Sequence, residues 1–332
     1  MMLTIDTGTT NTRVCLWDAG GHPMAAASSG TGVRDTAVDG NNSRLREAVR
    51  GCLAHCVEEA GVSFEELEGI YASGMITSNV GLCEVPHLVA PAGIDDFVQG
   101  VHSELLPDVC PVPIHFIPGV KNRDGAVELD RVEEMDIMRG EEVESLALLD
   151  ALPKGISYLF VLPGSHTKFV STDSGGRLTG CLTSIAGELL AALSQHSILA
   201  DAVGHSFVTR ESYRLEYLLA GYRTAAASSF GRAAFSTRIV SQFVDSDPAA
   251  AANFLFGAVL QGDVQAVRAS RALSVGRETR VVVSGKEPLC TAIIDLMRED
   301  GYFASVERFI PPEGMSLSGL GTLAVARRAA AR

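Results

Sequence analysis

The sequence of 332 residues lacks any run of 18 apolar residues, and no basic segment followed by an apolar one stands near its start. We therefore expect neither a membrane-spanning helix nor a secretory signal peptide. The expected location is the cytoplasm. Basic residues are few, since 27 Lys and Arg stand against 40 Asp and Glu, a formal net charge of −13. This charge argues against nucleic acid as a partner through a general electrostatic surface.

Cysteine pairs with the spacing of a metal site are also missing. The seven cysteines are scattered, and Cys52 and Cys56 lie four apart without a second pair to complete a zinc site. We expect all seven to be reduced and mostly structural, because free cysteine is commonly buried. No low-complexity linker interrupts the chain, and its length suffices for two closely joined domains with substantial cores.

A turn near the start of the chain has the residue types of a phosphate-binding loop. A short apolar strand runs into Asp6, and a second strand begins near Arg13. The turn between them is made of glycine and polar residues: Gly8, Thr9, Thr10 and Asn11. Backbone N–H groups and hydroxyls in such a turn can face a phosphate, and Asp6 is the residue type that holds Mg²⁺ through water. An ordinary hairpin with a polar turn is the alternative interpretation.

The second half of the chain repeats this unit. Residues 158–170 again form the pattern strand, turn and strand, and the turn contains Gly164, Ser165, His166 and then Lys168. A further tight turn follows each hairpin, so that Asp18 lies 10 positions after Gly8 and Asp173 lies 9 positions after Gly164. This self-similarity predicts two related domains, each with one phosphate loop, facing each other across a cleft.

Apolar periodicity predicts strands alternating with helices, which is typical of an α/β fold. Helices are expected over 43–60, from 141 to about 151, from 185 to 198 and over 319–331, with 209–275 largely helical. Strands are expected near 23–27, 69–73, 114–118 and 279–283. The turn residues Pro153 and Gly155 make the expected boundary between domains of residues 1–153 and 154–332.

Six segments in order carry a resemblance to a known family: 73–81, 85–88, 117–119, 137–142, 162–170, and 187–190 followed by 195–199. With the two hairpins and the strand that ends at Ser284 and Gly285, the chain resembles the 2-dehydro-3-deoxygalactonate kinases of the actin, hexokinase and heat-shock ATPase superfamily. The resemblance implies two ribonuclease-H-like domains that close over Mg-ATP. It also implies phosphorylation of the 6-hydroxyl of 2-dehydro-3-deoxy-D-galactonate in galactonate breakdown.

The residue types assign parts of this chemistry. Phosphoryl transfer to an alcohol requires a clamped triphosphate, magnesium to neutralise charge, and a carboxylate that accepts the hydroxyl proton. The two hairpins are the expected clamp, with Arg13 and Lys168 beside them, and Asp6 is the expected metal-linked carboxylate. Glu141 and Glu142 are the candidate bases, with Glu141 favoured because it follows Gly140 directly. Alternatively, both glutamates merely favour a helix N-terminus.

A keto-acid substrate also requires a receptor for its carboxylate and partners for its hydroxyls. Arg139 is the candidate for the carboxylate, because a guanidinium can bind it through two hydrogen bonds. The other candidate substrate-binding residues are Gly74, Met75, Ser78, Asn79 and Glu188. Ordinary turn chemistry is the alternative for the Ser78 loop.

Several alternatives stay open at this stage. The resemblance implies that the turn at Ser284 and Gly285 packs against adenosine. This turn continues into Lys286 and Glu287 and is more charged than in the family, which leaves the nucleotide preference open. A related kinase for 2-dehydro-3-deoxygluconate or a small alcohol, and an ATP-binding regulatory switch, are the other function classes. The sequence determines neither which C4 epimer is preferred nor whether the protein forms a homodimer.

Overall fold

The computed structural model describes all of Met1–Arg332 and contains fourteen strands. In chain order they are β1 (Met2–Thr7), β2 (Thr12–Trp17), β3 (Pro23–Ser29), β4 (Gly69–Gly74), β5 (Leu88–Val89), β6 (His102–Glu104), β7 (Ile114–Phe116), β8 (Val120–Lys121), β9 (Ile137–Met138), β10 (Tyr158–Leu162), β11 (Thr167–Thr172), β12 (Leu178–Ser184), β13 (Arg280–Val283) and β14 (Ser305–Arg308). Both predicted hairpins are confirmed, as β1–β2 and β10–β11.

Two larger sheets repeat one strand order. The first sheet runs β3-β2-β1-β4-β7-β6 and the second β12-β11-β10-β13-β14. In the first, β1 is antiparallel to β2 and parallel to β4, and β4 is parallel to β7. In the second, β10 is antiparallel to β11 and parallel to β13, and β13 is parallel to β14. The predicted duplication is therefore present in the topology, with β6 added at one edge of the first sheet.

Ten α-helices accompany the sheets. They are α1 (Val33–Asp39), α2 (Ser43–Ala60), α3 (Ile94–Gly100), α4 (Glu141–Ala151), α5 (Ala186–His196), α6 (Leu215–Ala227), α7 (Phe230–Phe243), α8 (Pro248–Ala269), α9 (Leu289–Asp300) and α10 (Leu317–Ala330). The helix predicted over 43–60 is confirmed as α2: Leu45, Val49 and Leu53 are buried on one face. Gly61, in the left-handed conformation, ends it, because glycine adopts positive φ without strain.

The chain divides into two compact units. Unit 1 comprises Met1–Gly155, Ser174–Gly180 and Pro311–Arg332, and unit 2 comprises Ile156–Asp173 and Cys181–Ile310. The first break lies at Gly155, beside the turn expected to separate the domains. The expected domain of residues 154–332 differs from the structure at its C-terminal end, because Pro311–Arg332 belongs to unit 1.

The position of α10 has a packing reason. A Cβ on Gly321 would overlap the carbonyl oxygen of Val143, so α10 lies with its backbone directly against α4. The hydroxyl groups of Ser73 and Thr322 are 2.8 Å apart and hydrogen-bonded in the buried interior. Only a helix with small residues on this face can approach α4 and β4 so closely.

A second close approach joins α6 and α8 in unit 2. Cβ atoms built on Gly221 and Gly257 would overlap the carbonyl oxygens of Phe254 and Leu218, respectively. The two helices therefore touch through their backbones at both glycines. Their contact forms part of the apolar core that also contains Leu159 of the second sheet.

No helix combines the length and the apolar character needed to cross a membrane. All seven cysteines are free.

Candidate functional site

Asp6 lies at the carboxyl end of β1, between two neighbouring strands of unit 1. Arg13 of β2 and Ser73 of β4 are its register partners. Its Oδ2 atom accepts a hydrogen bond from the Ser318 hydroxyl at 2.9 Å and lies 3.4 Å from Nη1 of Arg13. Burial raises the pKa of Asp6, and the hydrogen bond from Ser318 and the charge of Arg13 oppose that shift. Ser318 was not predicted, because α10 reaches Asp6 only through tertiary packing.

Gly74 keeps the space beside Asp6 open, and Gly140 lies next to Gly74. Gly74 has φ +84°, and a Cβ there would lie 3.2 Å from Asp6 Oδ1 and 2.7 Å from the Thr7 carbonyl oxygen. Gly140 has φ +113°, and its Cβ would lie 3.5 Å from the Cα of Gly74. L-residues with side chains rarely adopt such angles. The start of α4 therefore lies next to the end of β4, and no hydrogen bond within the chain uses Asp6 Oδ1.

The glutamates of α4 occupy distinct environments. Glu142 is fully buried, and its two carboxylate oxygens accept the Gly140 N–H at 2.9 and 2.7 Å. Burial, and next the charge of Glu141, raise the pKa of Glu142 to about 8. Glu141 is half-buried, and its carboxylate accepts no hydrogen bond within the chain. Glu142 thus binds the backbone at the start of α4, whereas the Glu141 carboxylate has no hydrogen-bond partner within the chain.

Glu144 is a further carboxylate of this group, and sequence reasoning missed it. Burial raises its pKa to about 8, with the charges of Glu141 and Asp6 as the next causes. The charges of Asp6, Glu141 and Glu142 therefore all act on Glu144. The signal available in the sequence was the helical spacing of three between Glu141 and Glu144, which places both on one helix face.

Arg139 stabilises the loop that contains the other predicted substrate residues of unit 1. Its Nη1 donates to the Thr77 hydroxyl at 2.6 Å, and its Nη2 donates to the Val85 carbonyl at 2.7 Å. In that loop, the buried Ser78 hydroxyl donates to the Met75 carbonyl at 2.7 Å, and Asn79 is exposed. Ser78 therefore has the turn role considered from the sequence, while Arg139 keeps further N–H donors.

The first hairpin turn uses its carbonyl groups in hydrogen bonds and leaves two N–H groups without a partner in the chain. The Gly8 and Thr9 carbonyl oxygens accept hydrogen bonds from the N–H groups of Val33 and Arg34, at 3.2 and 2.9 Å. A Cβ on Gly32 would lie 2.5 Å from the Thr9 oxygen, so only glycine allows this approach. No group of the chain accepts the N–H of Thr9 or Thr10. With its carbonyls engaged and its N–H groups available, the turn has the polarity of an anion-binding loop.

Two other predicted residues complete this turn. The Gly8 N–H donates to the carbonyl of Asn11 at 2.9 Å, which closes the turn. The exposed Asn11 side chain donates to the Thr10 hydroxyl at 2.9 Å.

The second hairpin turn, in unit 2, has the same arrangement. The Ser165 carbonyl accepts the N–H of Glu188 at 3.2 Å. A Cβ on Gly187 would overlap the Gly164 carbonyl oxygen and lie 2.8 Å from the Ser165 Cα. His166 and Glu188 form an ion pair of 2.9 Å when the histidine is protonated. In both units, therefore, a glycine at the start of a helix lets that helix hydrogen-bond the hairpin carbonyls.

The predicted adenosine turn lies against this second hairpin. The Ser284 N–H donates to the Val161 carbonyl at 3.0 Å, and a Cβ on Gly285 would lie 3.1 Å from the Pro163 carbonyl oxygen. The charged residue Glu287 is paired with Arg308.

Lys168 does not reach the tip of its hairpin. Its side chain is buried, and its Nζ donates to the hydroxyl of Thr183. The structure therefore groups Gly164, Ser165, His166 and Glu188 at the turn, with Lys168 below them in the sheet.

Comparison with known proteins agrees with this architecture. The repeated sheet topology defines an α/β protein with two sheets of matching strand order, as the resemblance implies. The 2-keto-3-deoxy-galactonokinase family model matches residues 6–321, and the chain belongs to this family. The family inferred from the sequence motifs is thereby confirmed.

Named relatives support the same family. The chain is 29% identical over 202 residues to the probable 2-dehydro-3-deoxygalactonokinase DgoK1 of Rhizobium meliloti, covering 61% of this chain and 59% of that protein. It is 31% identical over 198 residues to the 2-dehydro-3-deoxygalactonokinase of Escherichia coli, covering 59% of this chain and 58% of that protein. The matches thus span about three fifths of the length of these curated relatives.

A solved structure has the same fold along nearly the whole chain. It is the crystal structure of a Sinorhizobium meliloti protein proposed to be a 2-dehydro-3-deoxygalactonokinase. The TM-score is 0.75 at 23% sequence identity, and the alignment covers 99% of this chain and 98% of that one.

Proposed function

We propose that this protein is a kinase that transfers the γ-phosphoryl group of ATP to the 6-hydroxyl of 2-dehydro-3-deoxy-D-galactonate. The products are 2-dehydro-3-deoxy-6-phosphogalactonate and ADP. The observation that carries the proposal is the family match over residues 6–321, because that span includes every residue assigned a role below. The names of the two curated relatives support the same substrate.

The phosphates of ATP are assigned to the two hairpin turns. In unit 1, support comes from the N–H groups of Thr9 and Thr10, which have no partner within the chain. The exposed Arg13 beside them supplies positive charge. In unit 2, the corresponding residues are Ser165 and His166, which are exposed at the turn. Backbone N–H groups and nearby cations are the usual partners of phosphate oxygens.

The surroundings of Asp6 fit a hydrated divalent cation. Its Oδ1 atom accepts no hydrogen bond, and the absence of a side chain at Gly74 leaves the space beside that oxygen open. Oxygen ligands and retained water are what Mg²⁺ prefers. We propose that Asp6 holds magnesium, and the ion would neutralise charge on the phosphates. Ser318 keeps the carboxylate oriented through its hydrogen bond to Oδ2.

Glu141 is the proposed general base, and Arg139 the proposed receptor for the substrate carboxylate. The base must accept a proton from the attacking hydroxyl, so its carboxylate has to be accessible and free of capping bonds. Glu141 meets that requirement, while both oxygens of Glu142 bind the Gly140 N–H. Arg139 retains N–H donors beyond those that bind Thr77 and Val85.

The direct test is ADP release from Mg-ATP with a panel of acceptors. The panel contains 2-dehydro-3-deoxygalactonate, its gluconate epimer, galactonate and pantothenate. We expect fast, saturable turnover on the first compound. Equal rates on both epimers would retain the kinase and reject the narrow substrate. ATP binding without turnover on any compound of the panel would instead favour another acceptor or a regulatory switch.

Replacing Asp6 by Asn is expected to lower kcat by about 10²–10³-fold, because a metal-linked carboxylate acts mainly on the charge of the transition state. Nucleotide affinity should change far less, since the hairpin N–H groups remain. Steady-state kinetics and equilibrium nucleotide binding separate the two effects. The exposed Asp150 provides the control D150N, which should behave as wild type. Normal turnover of D6N would exclude the role.

Replacing Gly32 by Ala should weaken ATP binding at least about tenfold, or about 1.4 kcal/mol. The new Cβ would displace the Thr9 carbonyl and so turn the hairpin N–H groups away from the phosphates. The matched control is G30A, because a Cβ on Gly30 meets nothing within 4 Å. Calorimetric titration with a non-hydrolysable ATP analogue measures both. Equal affinities of G32A and G30A would contradict phosphate binding at this turn.

A further inference from the structure

Three metal-ligating side chains of unit 1 lie together outside the site described above. They are Cys83, His102 and Glu104, and their ligand atoms all lie within 4.8 Å of one another. None of the three has a role in the proposed kinase reaction. We refer to them as the Cys83 cluster.

Local structure explains how the Cys83 cluster forms. His102 and Glu104 are two residues apart on the edge strand β6, so their side chains project from the same face. Antiparallel pairing of β6 with β7 holds that strand in register. Cys83 is held by its backbone, since its N–H donates to the Ile76 carbonyl at 3.3 Å. Two separate backbone anchors therefore bring the sulfur to the edge strand.

We propose that the Cys83 cluster binds a transition-metal ion of the zinc class. Thiolate, imidazole and carboxylate are all ligands that Zn²⁺ accepts, and three protein ligands leave a fourth tetrahedral position for water. The His102 Nε2 and Glu104 Oε2 atoms are 3.1 Å apart. Two ligands bound tetrahedrally at about 2.1 Å would lie about 3.4 Å apart, so this pair already has nearly the required separation.

Charge also favours a divalent ion in the cluster. Once coordinated, the Cys83 thiolate and the Glu104 carboxylate would together supply two negative charges that neutralise the ion. On coordination, a sulfur–metal bond replaces the S–H bond, and the proton leaves to solvent. Other exposed histidines, such as His22 and His205, are also paired with carboxylates. Those pairs have no cysteine beside them to form a three-ligand group.

Metal binding would have a structural consequence for the neighbouring loop. The segment from Ile76 to Cys83 would be tied to β6 through the metal as well as through its own backbone bonds. The adjoining Val85 carbonyl is the acceptor for Arg139, so the tether would act on the same loop that Arg139 holds.

The test is a titration of the metal-free full-length protein with Co²⁺, followed by displacement with Zn²⁺. We expect one equivalent of Co²⁺ to produce a thiolate-to-metal charge-transfer absorption that Zn²⁺ abolishes. In C83S this absorption should be absent. The matched control is C15S, because Cys15 is the other cysteine that is only partly buried, and it should retain the absorption.

A second pair of variants tests the imidazole. H102A should bind Co²⁺ at least about tenfold more weakly, since even the loss of groups that only orient metal ligands costs about 10–100-fold. The control H22A removes a histidine paired with Asp18 and should bind normally. Circular dichroism of each variant checks the fold. An absent thiolate absorption in the wild type, or its persistence in C83S, would overturn the proposal, whatever the kinase assay shows.

Discussion

Replacing Glu141 by glutamine is expected to reduce kcat for phosphoryl transfer by about 10²–10⁴-fold, the usual contribution of a general base. Glutamine has nearly the same shape but cannot accept the hydroxyl proton. ATP affinity should change little, because the hairpin turns are separate from α4 in sequence and make their own contacts. Single-turnover transfer and equilibrium binding of ATP measure the two quantities independently.

A variant of the neighbouring Glu142 tests which of the two glutamates is the general base. E142Q should retain both transfer and stability, because the glutamine oxygen can still accept the Gly140 N–H and because a Glu142 pKa of about 8 leaves that side chain mostly neutral at pH 7. E58Q, on the exposed face of α2, is the neutral control. If E142Q were folded and inactive while E141Q transferred phosphate normally, Glu142 would be the base and our assignment would be reversed.

Replacing Gly257 by alanine is expected to destabilise unit 2 by about 3 kcal/mol or more, at the upper end of overpacking costs. The new methyl group would overlap the Leu218 carbonyl oxygen and lie 3.0 Å from the Tyr222 nitrogen, both in the backbone of α6. Backbone cannot rotate away as a flexible side chain can, so α6 and α8 must separate. Thermal unfolding followed by circular dichroism measures the loss.

The same helix supplies the control. Gly262 is exposed on α8, and a Cβ there meets nothing within 4 Å. G262A should therefore be neutral or stabilise by up to about 1 kcal/mol, because alanine is the better helix former. Similar losses of stability in G257A and G262A would show that helix packing at Gly257 is not the cause.

Elements with a strong local signal were predictable. Helix α2 has both an apolar face and a glycine at its end, and the prediction over 43–60 matches Ser43–Ala60. The two hairpins were predictable because each contains a polar turn between apolar strands. The small strands β5, β8 and β9 were not predicted, since strands of two residues carry no periodicity.

Some features of the candidate site were predictable from the sequence, and others were not. Its residue types were predictable, including Asp6 and the glutamates that begin α4. The roles within the glutamate group were not, because the direction of a carboxylate depends on burial and on the Gly140 N–H. The roles of Gly32 and Gly187 were not predictable either. Glycine is required at both positions because backbone atoms of a hairpin turn pack against them in the folded protein.

By itself, the sequence determined the α/β class, the duplicated hairpins and the family, because turn chemistry, apolar periodicity and motif order all act over short stretches of chain. The tertiary structure alone decided that α10 joins unit 1 and that Ser318 binds Asp6 across 312 residues. It also decided that Glu142 is a buried cap. These features depend on how closely distant backbones pack, and no local pattern encodes that distance.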